Sequence, residues 1–149
     1  MARVSLLDVN VLVALVSPDH VHHELAHDWF ADRRNRGWAT CPLTENGFVR
    51  VVSQLSAGDA AMRPSTVLDH LRRFCADLRH TFWADSISLT DVAVFNHSMI
   101  RGPRQLTDVY LLGLARKMNG CLVTFDATIP VKAVVGASHD HLCVIAEDR

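Results

Sequence analysis

Apolar residues along this chain occur in short runs that alternate with longer stretches of helical spacing. The short runs predict strands, and the run at residues 82–89 is weak and clearest at 87–89. Strands separated by helices indicate an α/β fold with a mostly parallel sheet covered on both faces. The predicted strands are residues 4–7, 38–41, 82–89, 121–125 and 142–146, and the predicted helices are 9–16, 19 or 20 to about 36, 42–55, 64–78, 91–99 and 107–118.

Turn-forming residues mark the ends of these helices. Gly37 and the pair Asn119 and Gly120 are typical of residues that follow a helix, and residues 56–59 break another one. Further signals are Pro42 and Pro64 at first helical positions and Thr90 and Thr107 as N-caps.

The composition is that of a globular protein. At 149 residues the chain is long enough for one substantial core and short for two, so we expect a single domain over residues 1–149. No run of about 18 apolar residues is present to span a membrane, and the N-terminus lacks the features of a signal peptide. Four cysteines without a C-x-x-C pair are typical of a reducing compartment. We therefore expect a cytoplasmic protein without membrane contact.

The charge distribution is more informative than the net charge. A net charge of −1 excludes the overall basic field of a non-specific nucleic-acid binder. Arginines nevertheless cluster at residues 33–36, 72–79 and 101–104, and arginine suits forked recognition of phosphate. The first two clusters are typical of solvated helix faces, whereas the third lies in a predicted loop.

Four acidic residues occupy positions that favour apolar side chains. Asp8 and Asp126 each follow a buried strand, and Glu45 and Asp108 lie in the first turns of helices. The residues three, four and seven positions after each helical acid are small or apolar, so both acids share the core-facing side. An uncompensated carboxylate there costs several kcal/mol, about 2–7. Ligands in open α/β sheets bind at the carboxyl ends of strands, and oxygen donors favour Mg²⁺ or Mn²⁺ over zinc.

Local roles stay open for each acid taken alone. Strand-end aspartates commonly form turns, and acids in a first helical turn stabilise the helix dipole by about 0.3–1 kcal/mol. Asp91 also begins a predicted helix, but its neighbour Thr90 makes a capping role sufficient, so we leave Asp91 out of the site. His23 and His27 have the spacing of a transition-metal pair, but the H-E-x-x-H order is absent and packing is the simpler role.

Four short stretches carry the acidic residues: 7–12 (LDVNVL), 44–51 (TENGFVRV), 106–112 (LTDVYLL) and 123–126 (VTFD). As an ordered set, spread over nearly the whole chain, they resemble the PIN-domain ribonucleases and, among these, the VapC-type toxins of bacterial toxin–antitoxin pairs. The resemblance implies a three-layer α/β/α PIN-like domain with a parallel sheet in the order 3-2-1-4-5. It also implies that Asp91 would follow an edge strand, away from the site.

The resemblance implies roles for individual residues. The residues that match the family's acidic quartet are Asp8, Glu45, Asp108 and Asp126. Asp8 and Asp108 are the expected direct metal ligands, whereas Glu45 and Asp126 act directly, through water or at a second metal. Asn10 and Thr124 are the candidates to support the ligands or to contact substrate phosphate. Arg104 and Arg101, in the loop before the Asp108 helix, are candidates to hold RNA phosphate, and the alternative for both is an ordinary exposed loop arginine.

This set implies a Mg²⁺-dependent endoribonuclease, with Mn²⁺ as a substitute, that acts as the toxin of a toxin–antitoxin pair and hydrolyses RNA with activated water. The expected partners are RNA, a cognate small antitoxin protein and a second copy in a homodimer. One alternative is an inactive PIN-like module that binds RNA or protein. Another is a phosphohydrolase on a related fold, although Asn10 stands where haloacid-dehalogenase-type phosphatases need an aspartate. Neither G-x-G-x-x-G nor a P-loop motif occurs, which disfavours nucleotide cofactors.

Overall fold

A five-stranded parallel sheet forms the centre of the protein in the computed structural model, which describes residues 3–55 and 63–146. The order across the sheet is β3-β2-β1-β4-β5, and every neighbouring pair is parallel. The expected α/β class and strand order 3-2-1-4-5 are confirmed. The strands are β1 (Ser5–Leu7), β2 (Trp38–Thr40), β3 (His80–Phe82), β4 (Cys121–Thr124) and β5 (Leu142–Val144).

The helices within the described ranges are α1 (Val9–Val16), α2 (His23–Arg33), α3 (Pro42–Leu55), α4 (Pro64–Phe74) and α5 (Leu106–Lys117). α2 starts later than predicted, because residues 18–22 form turns and a bend after Ser17. α4 ends at Phe74 instead of continuing to residue 78 as predicted, and Leu78 is fully exposed. The predicted helix break at residues 56–59 lies outside the described residues. None of the described helices has the length and apolar character needed to cross a membrane.

The sheet separates two hydrophobic clusters, one on each face. Alternation along β1 sends Leu6 to the face covered by α5 and Leu7 to the face covered by α1, α3 and α4. Leu111 of α5 and Phe48 of α3 are fully buried in the respective clusters. Burial of such side chains contributes about 1.5–3 kcal/mol each, which stabilises the three-layer α/β/α arrangement.

The segment between β3 and α5 differs from its predicted structure. β3 lies at His80–Phe82 instead of residues 82–89, because Phe82 pairs with Thr40 at the end of β2 and the chain then leaves the sheet. Residues 91–99, predicted as a helix, form a turn followed by the 3₁₀ helix His97–Met99. The reason is Phe95, which is buried in the α5-side cluster and forms an antiparallel bridge with Val134. Tertiary packing therefore overrides the local capping signal.

A glycine on α5 makes room for this phenylalanine. A Cβ atom on Gly113 would lie 2.6 Å from ring atoms of Phe95 and 3.1 Å from Ile87. We expect Gly113→Ala to destabilise the fold, because overpacking costs about 1–3 kcal/mol and outweighs the gain in helix propensity. Denaturant unfolding measures the change, with Gly102→Ala as control because a Cβ there meets nothing within 4 Å. Unchanged stability of Gly113→Ala would contradict this packing.

The ends of α5 follow the predicted signals in part. The helix begins at Leu106, directly after the 3₁₀ helix Pro103–Gln105, so the predicted N-cap Thr107 is already its second residue. The C-terminal end is as predicted, since Asn119 has a φ of 55° and the N–H of the following glycine bonds to the carbonyl of Ala115. This start places Asp108 in the first turn of α5.

Candidate active site

Asp8 is held rigidly at the carboxyl end of the central strand. Its backbone N–H extends the ladder to the carbonyl of Val123, and its extended backbone (φ −62°, ψ 157°) makes it the N-cap of α1. The N–H of Val9 donates to Oδ1 at 2.7 Å, and the Thr124 hydroxyl donates to Oδ2 at 2.9 Å. Asp8 is only 6% exposed. Both oxygens are therefore fixed, with little freedom to turn away from the cleft.

Thr124, the last residue of β4, connects two of the predicted acids. Its Oγ1 donates to Asp8 and accepts from the N–H of Asp126 at 3.1 Å. The Oδ1 atom of Asp126 accepts from the N–H of Thr128 at 2.7 Å and from its hydroxyl at 2.6 Å. The adjacent ends of β1 and β4 thus hold two aspartates in one hydrogen-bonded unit.

Asp108 joins these two aspartates from α5. Burial, followed by the charges of Asp8 and Asp126, raises the pKa of Asp108 to about 6. Burial also raises the pKa of Asp8, with a smaller contribution from Asp126, against the hydrogen bonds of Thr124 and Val9 that favour the ionised form. The three carboxylates therefore lie close enough to repel one another.

This donor set fits a divalent cation. The ion pairs in the described part of the chain join Arg72 with Asp69 and Arg79 with Asp77, and neither involves the three aspartates. Buried like charges without a cationic side chain destabilise the folded protein, and a bound ion relieves that repulsion. The carboxylate donors are hard oxygens, the type that Mg²⁺ and Mn²⁺ prefer.

The structure places Glu45 apart from this group. Its Oε2 accepts from the hydroxyl of Thr40 at 2.6 Å, and the same hydroxyl lies 2.7 Å from Nε2 of His80. The charge of Glu45 acts on His80 and Cys75, whereas the charges that raise the pKa of Asp108 come from the other two aspartates. Thr40 lies two residues after Trp38 in β2, so its side chain faces the α3 and α4 side of the sheet.

The remaining predicted residues lie around the aspartates or away from them. Asn10 is exposed in the first turn of α1, and Arg104 is exposed in the 3₁₀ helix that leads into α5. The backbone N–H of Arg101 donates to Gln105 Oε1 in the same loop. Asp91 lies in a cleft with Arg116 and Lys117, toward the C-terminal end of α5, and its Oδ1 accepts from a backbone N–H two residues on.

Several polar residues beside the site carry no motif. Thr40 and His80 are in contact across β2 and β3. The sequence did not predict this contact, because it placed the third strand at residues 82–89. The alternation of side chains along β2 was the sequence signal that could have placed Thr40 on the α3 and α4 side of the sheet. The rings of His20 and His22 lie 6.4 and 4.8 Å from the ring of Phe125, the neighbour of Asp126. No local pattern predicts that contact, because it depends on how residues 17–22 fold back.

Comparison with known proteins shows close relatives among mycobacterial proteins. Ribonuclease VapC44 of Mycobacterium tuberculosis H37Rv is 43% identical over 141 residues, which cover 95% of this chain and 99% of the relative. Ribonuclease VapC39 of the same strain is 39% identical over 132 residues, 89% of this chain and 95% of the relative. Ribonuclease VapC38 is 45% identical over 130 residues, 84% and 86% respectively. No protein-family model matches the chain.

A solved structure has the same fold. VapBC2 from Rickettsia felis, bound to a DNA fragment from its promoter, superposes with a TM-score of 0.53 at 16% identity. The match covers 84% of this chain and 89% of that chain. At this identity the likeness concerns the fold.

Proposed function

This chain belongs to the VapC family of ribonucleases, and from that premise we propose that it cleaves RNA with a divalent metal ion, Mg²⁺ or Mn²⁺, held by Asp8, Asp108 and Asp126. The observation that carries this proposal is the electrostatic state of Asp108. Burial and two neighbouring carboxylates raise its pKa to about 6, which is expected of an acidic cluster that has evolved to bind a cation.

A bound divalent ion would supply a nucleophile from water at neutral pH and would stabilise the negative charge that develops on the phosphodiester. The residues of the chain determine where this happens. Asp8 is immobilised by two hydrogen bonds, so its oxygens keep one position during the reaction. Thr124 orients Asp8 and Asp126 together. No side-chain nucleophile is required.

Glu45 is the proposed fourth acid of the site, after rotation of its side chain. Its backbone N–H bonds to the carbonyl of Cys41, which directly follows β2, and β2 adjoins β1. The backbone of Glu45 therefore lies near the carboxyl end where Asp8 is found. Its carboxylate, however, is turned toward Thr40. We propose that the acidic quartet is incomplete while this carboxylate contacts Thr40, and that it is complete when the side chain rotates toward the three aspartates.

RNA binding is proposed for exposed groups around the acids. Arg104, with Arg101, is placed to contact phosphate, and Asn10 lies two residues after Asp8 on the first turn of α1. The ring cluster of His20 and His22 with Phe125 adds an aromatic surface beside Asp126 on which an RNA base would stack.

The protein partners follow from family membership. We propose that the chain is the toxin of a toxin–antitoxin pair and that a small antitoxin protein binds it, as supported by the VapBC complex of similar fold. An apolar groove of about 500 Å³ between α1, α3 and α4, lined by residues such as Val16, Val52 and Val67, offers a surface for that protein. We also propose that the chain is a single domain and that two copies form a homodimer. A cytoplasmic location is proposed because the four free cysteines suit a reducing compartment.

The test is metal add-back to purified protein. After treatment with chelator, cleavage of RNA is expected to stop, and Mg²⁺ or Mn²⁺ is expected to restore it because the three aspartates need a cation to act together. Gel analysis of RNA fragments measures the result. Undiminished cleavage in chelator would overturn the metal proposal. RNA binding without cleavage under every metal condition would favour the inactive binding module instead.

A further inference from the structure

A second cluster of possible metal ligands lies on the α3 and α4 side of the sheet. It consists of Glu45 from α3, Cys75 at the end of α4 and His80 at the start of β3. One carboxylate oxygen, the thiol sulfur and one ring nitrogen all lie within 4.8 Å of one another. Ligand atoms on a tetrahedral zinc ion are separated by roughly 3.3–3.8 Å, given bond lengths of about 2.0–2.3 Å. Small side-chain rotations would bring these three atoms to that spacing.

The neighbouring threonine holds this cluster together. The buried hydroxyl of Thr40 donates its proton to Glu45 at 2.6 Å. Because the hydroxyl has no second proton to give, the Nε2–H group of His80, 2.7 Å away, donates to it. The same hydroxyl is near enough to the Cys75 thiol to lower its pKa slightly. Trp38 packs against the His80 ring with centroids 4.6 Å apart, which limits movement of the imidazole. Outer contacts of this kind orient metal ligands in known sites.

The mixed donor set distinguishes this cluster from the three aspartates. Sulfur and nitrogen donors favour zinc-like ions, whereas carboxylates alone favour magnesium. In the metal-free protein, burial and the charge of Glu45 raise the pKa of Cys75 to about 11, so the thiol is protonated. Burial lowers the pKa of His80 against the opposing effect of Glu45. Binding would transfer the thiol proton to solvent, and one thiolate with one carboxylate would balance a charge of 2+.

We propose that Glu45, Cys75 and His80 bind a thiophilic divalent ion such as Zn²⁺, and that the bound ion keeps Glu45 away from the ribonuclease site. Three protein ligands leave a fourth position for water. Glu45 then has two alternative partners, the zinc-like ion or the aspartate cluster. The metal-binding half of this inference is independent of the proposed function, whereas the inhibitory half rests on it.

Cobalt spectroscopy tests the binding half. When Co²⁺ is added to the full-length, magnesium-free protein, we expect the visible absorption bands of tetrahedral cobalt and a thiolate-to-cobalt charge-transfer band. Both should reach their maximum at one equivalent of Co²⁺, and both should disappear when Zn²⁺ displaces the cobalt. Cys75→Ser should lose the charge-transfer band, and His80→Gln should weaken Co²⁺ binding by at least roughly 10–100-fold, because a direct ligand contributes no less than an outer contact. Cys143→Ser, which changes a thiol in β5 outside the cluster, is the matched control and should keep both. Absence of the band in the wild type, or its loss only in Cys143→Ser, would overturn the site.

Inhibition of RNA cleavage tests the other half. With Mg²⁺ in excess, about one equivalent of Zn²⁺ is expected to reduce cleavage by at least tenfold in the wild type, and Cys75→Ser should restore it at the same Zn²⁺ concentration. Equal inhibition of both proteins would mean that Zn²⁺ acts at the aspartates, which overturns the regulatory role. A protein that never cleaves RNA would refute the proposed function, and the cobalt result would still decide whether the metal site exists.

Discussion

Asp8→Asn is expected to reduce Mg²⁺-dependent RNA cleavage by at least about 10²–10³-fold, the loss typical of removing one group that stabilises charge in a transition state. The substitution removes the charge and keeps the shape. The asparagine carbonyl can still accept from the N–H of Val9, and its amide group can donate to the Thr124 hydroxyl in place of the present bond. The fold is therefore preserved while the anionic metal ligand is lost.

The control for this variant is another aspartate, one that stabilises a turn away from the acidic cluster. Asp91 accepts a backbone N–H two residues on and lies in a cleft with Arg116 and Lys117, so Asp91→Asn should retain wild-type cleavage. Initial rates on a fixed RNA substrate, together with thermal unfolding of both variants, separate catalysis from folding. Wild-type activity in Asp8→Asn would refute the proposed metal site.

Asp108→Asn is expected to have two effects of opposite kind. Cleavage should fall by a similar factor to that of Asp8→Asn, because a second proposed ligand is lost. The metal-free variant should nevertheless be more stable than the wild type above pH 6, since burial and the charges of Asp8 and Asp126 disfavour the ionised form of Asp108. After allowance for its partial exposure the gain is on the order of 1 kcal/mol, or about 3 °C in Tm.

The sign of the pH dependence follows from the direction of the pKa shift. The folded protein binds the Asp108 proton more tightly than the unfolded chain, with a pKa of about 6 against an ordinary value of 3.8. Its contribution to stability is therefore complete below about pH 4 and is lost as the pH rises through 6. Thermal scans in chelator should show the gap between variant and wild type opening over this range. Asp32→Asn, on the exposed side of α2, should leave the wild-type profile unchanged.

The sequence was sufficient to predict three of the acids as neighbours. Asp8 and Asp126 follow strands that pair in parallel, so their side chains emerge at the same edge of the sheet. Asp108 lies on the core-facing side of α5, as its helical spacing predicted. These inferences rest on periodicity within one element and on the strand order that the resemblance to PIN-domain ribonucleases implies.

The surroundings of Glu45 could not be predicted in the same way. Its contact with Thr40 depends on a side-chain rotation, and the contact between Thr40 and His80 depends on the register of β2 and β3. The weak apolar pattern at residues 82–89 placed that strand too late in the chain. Likewise, the capping signal at Thr90 is local, whereas the burial of Phe95 is a tertiary effect.

The hydrogen bond between Thr124 and Asp8 joins residues 116 positions apart in the chain. Contacts of such long sequence separation form after the intervening loop has closed, and parallel pairings of this kind fold slowly. During synthesis, Asp8 emerges early but has no β4 beside it until residues 121–124 have been translated. An RNA-cutting protein built in this order has an incomplete acidic cluster until β4 has been synthesised and has paired with β1.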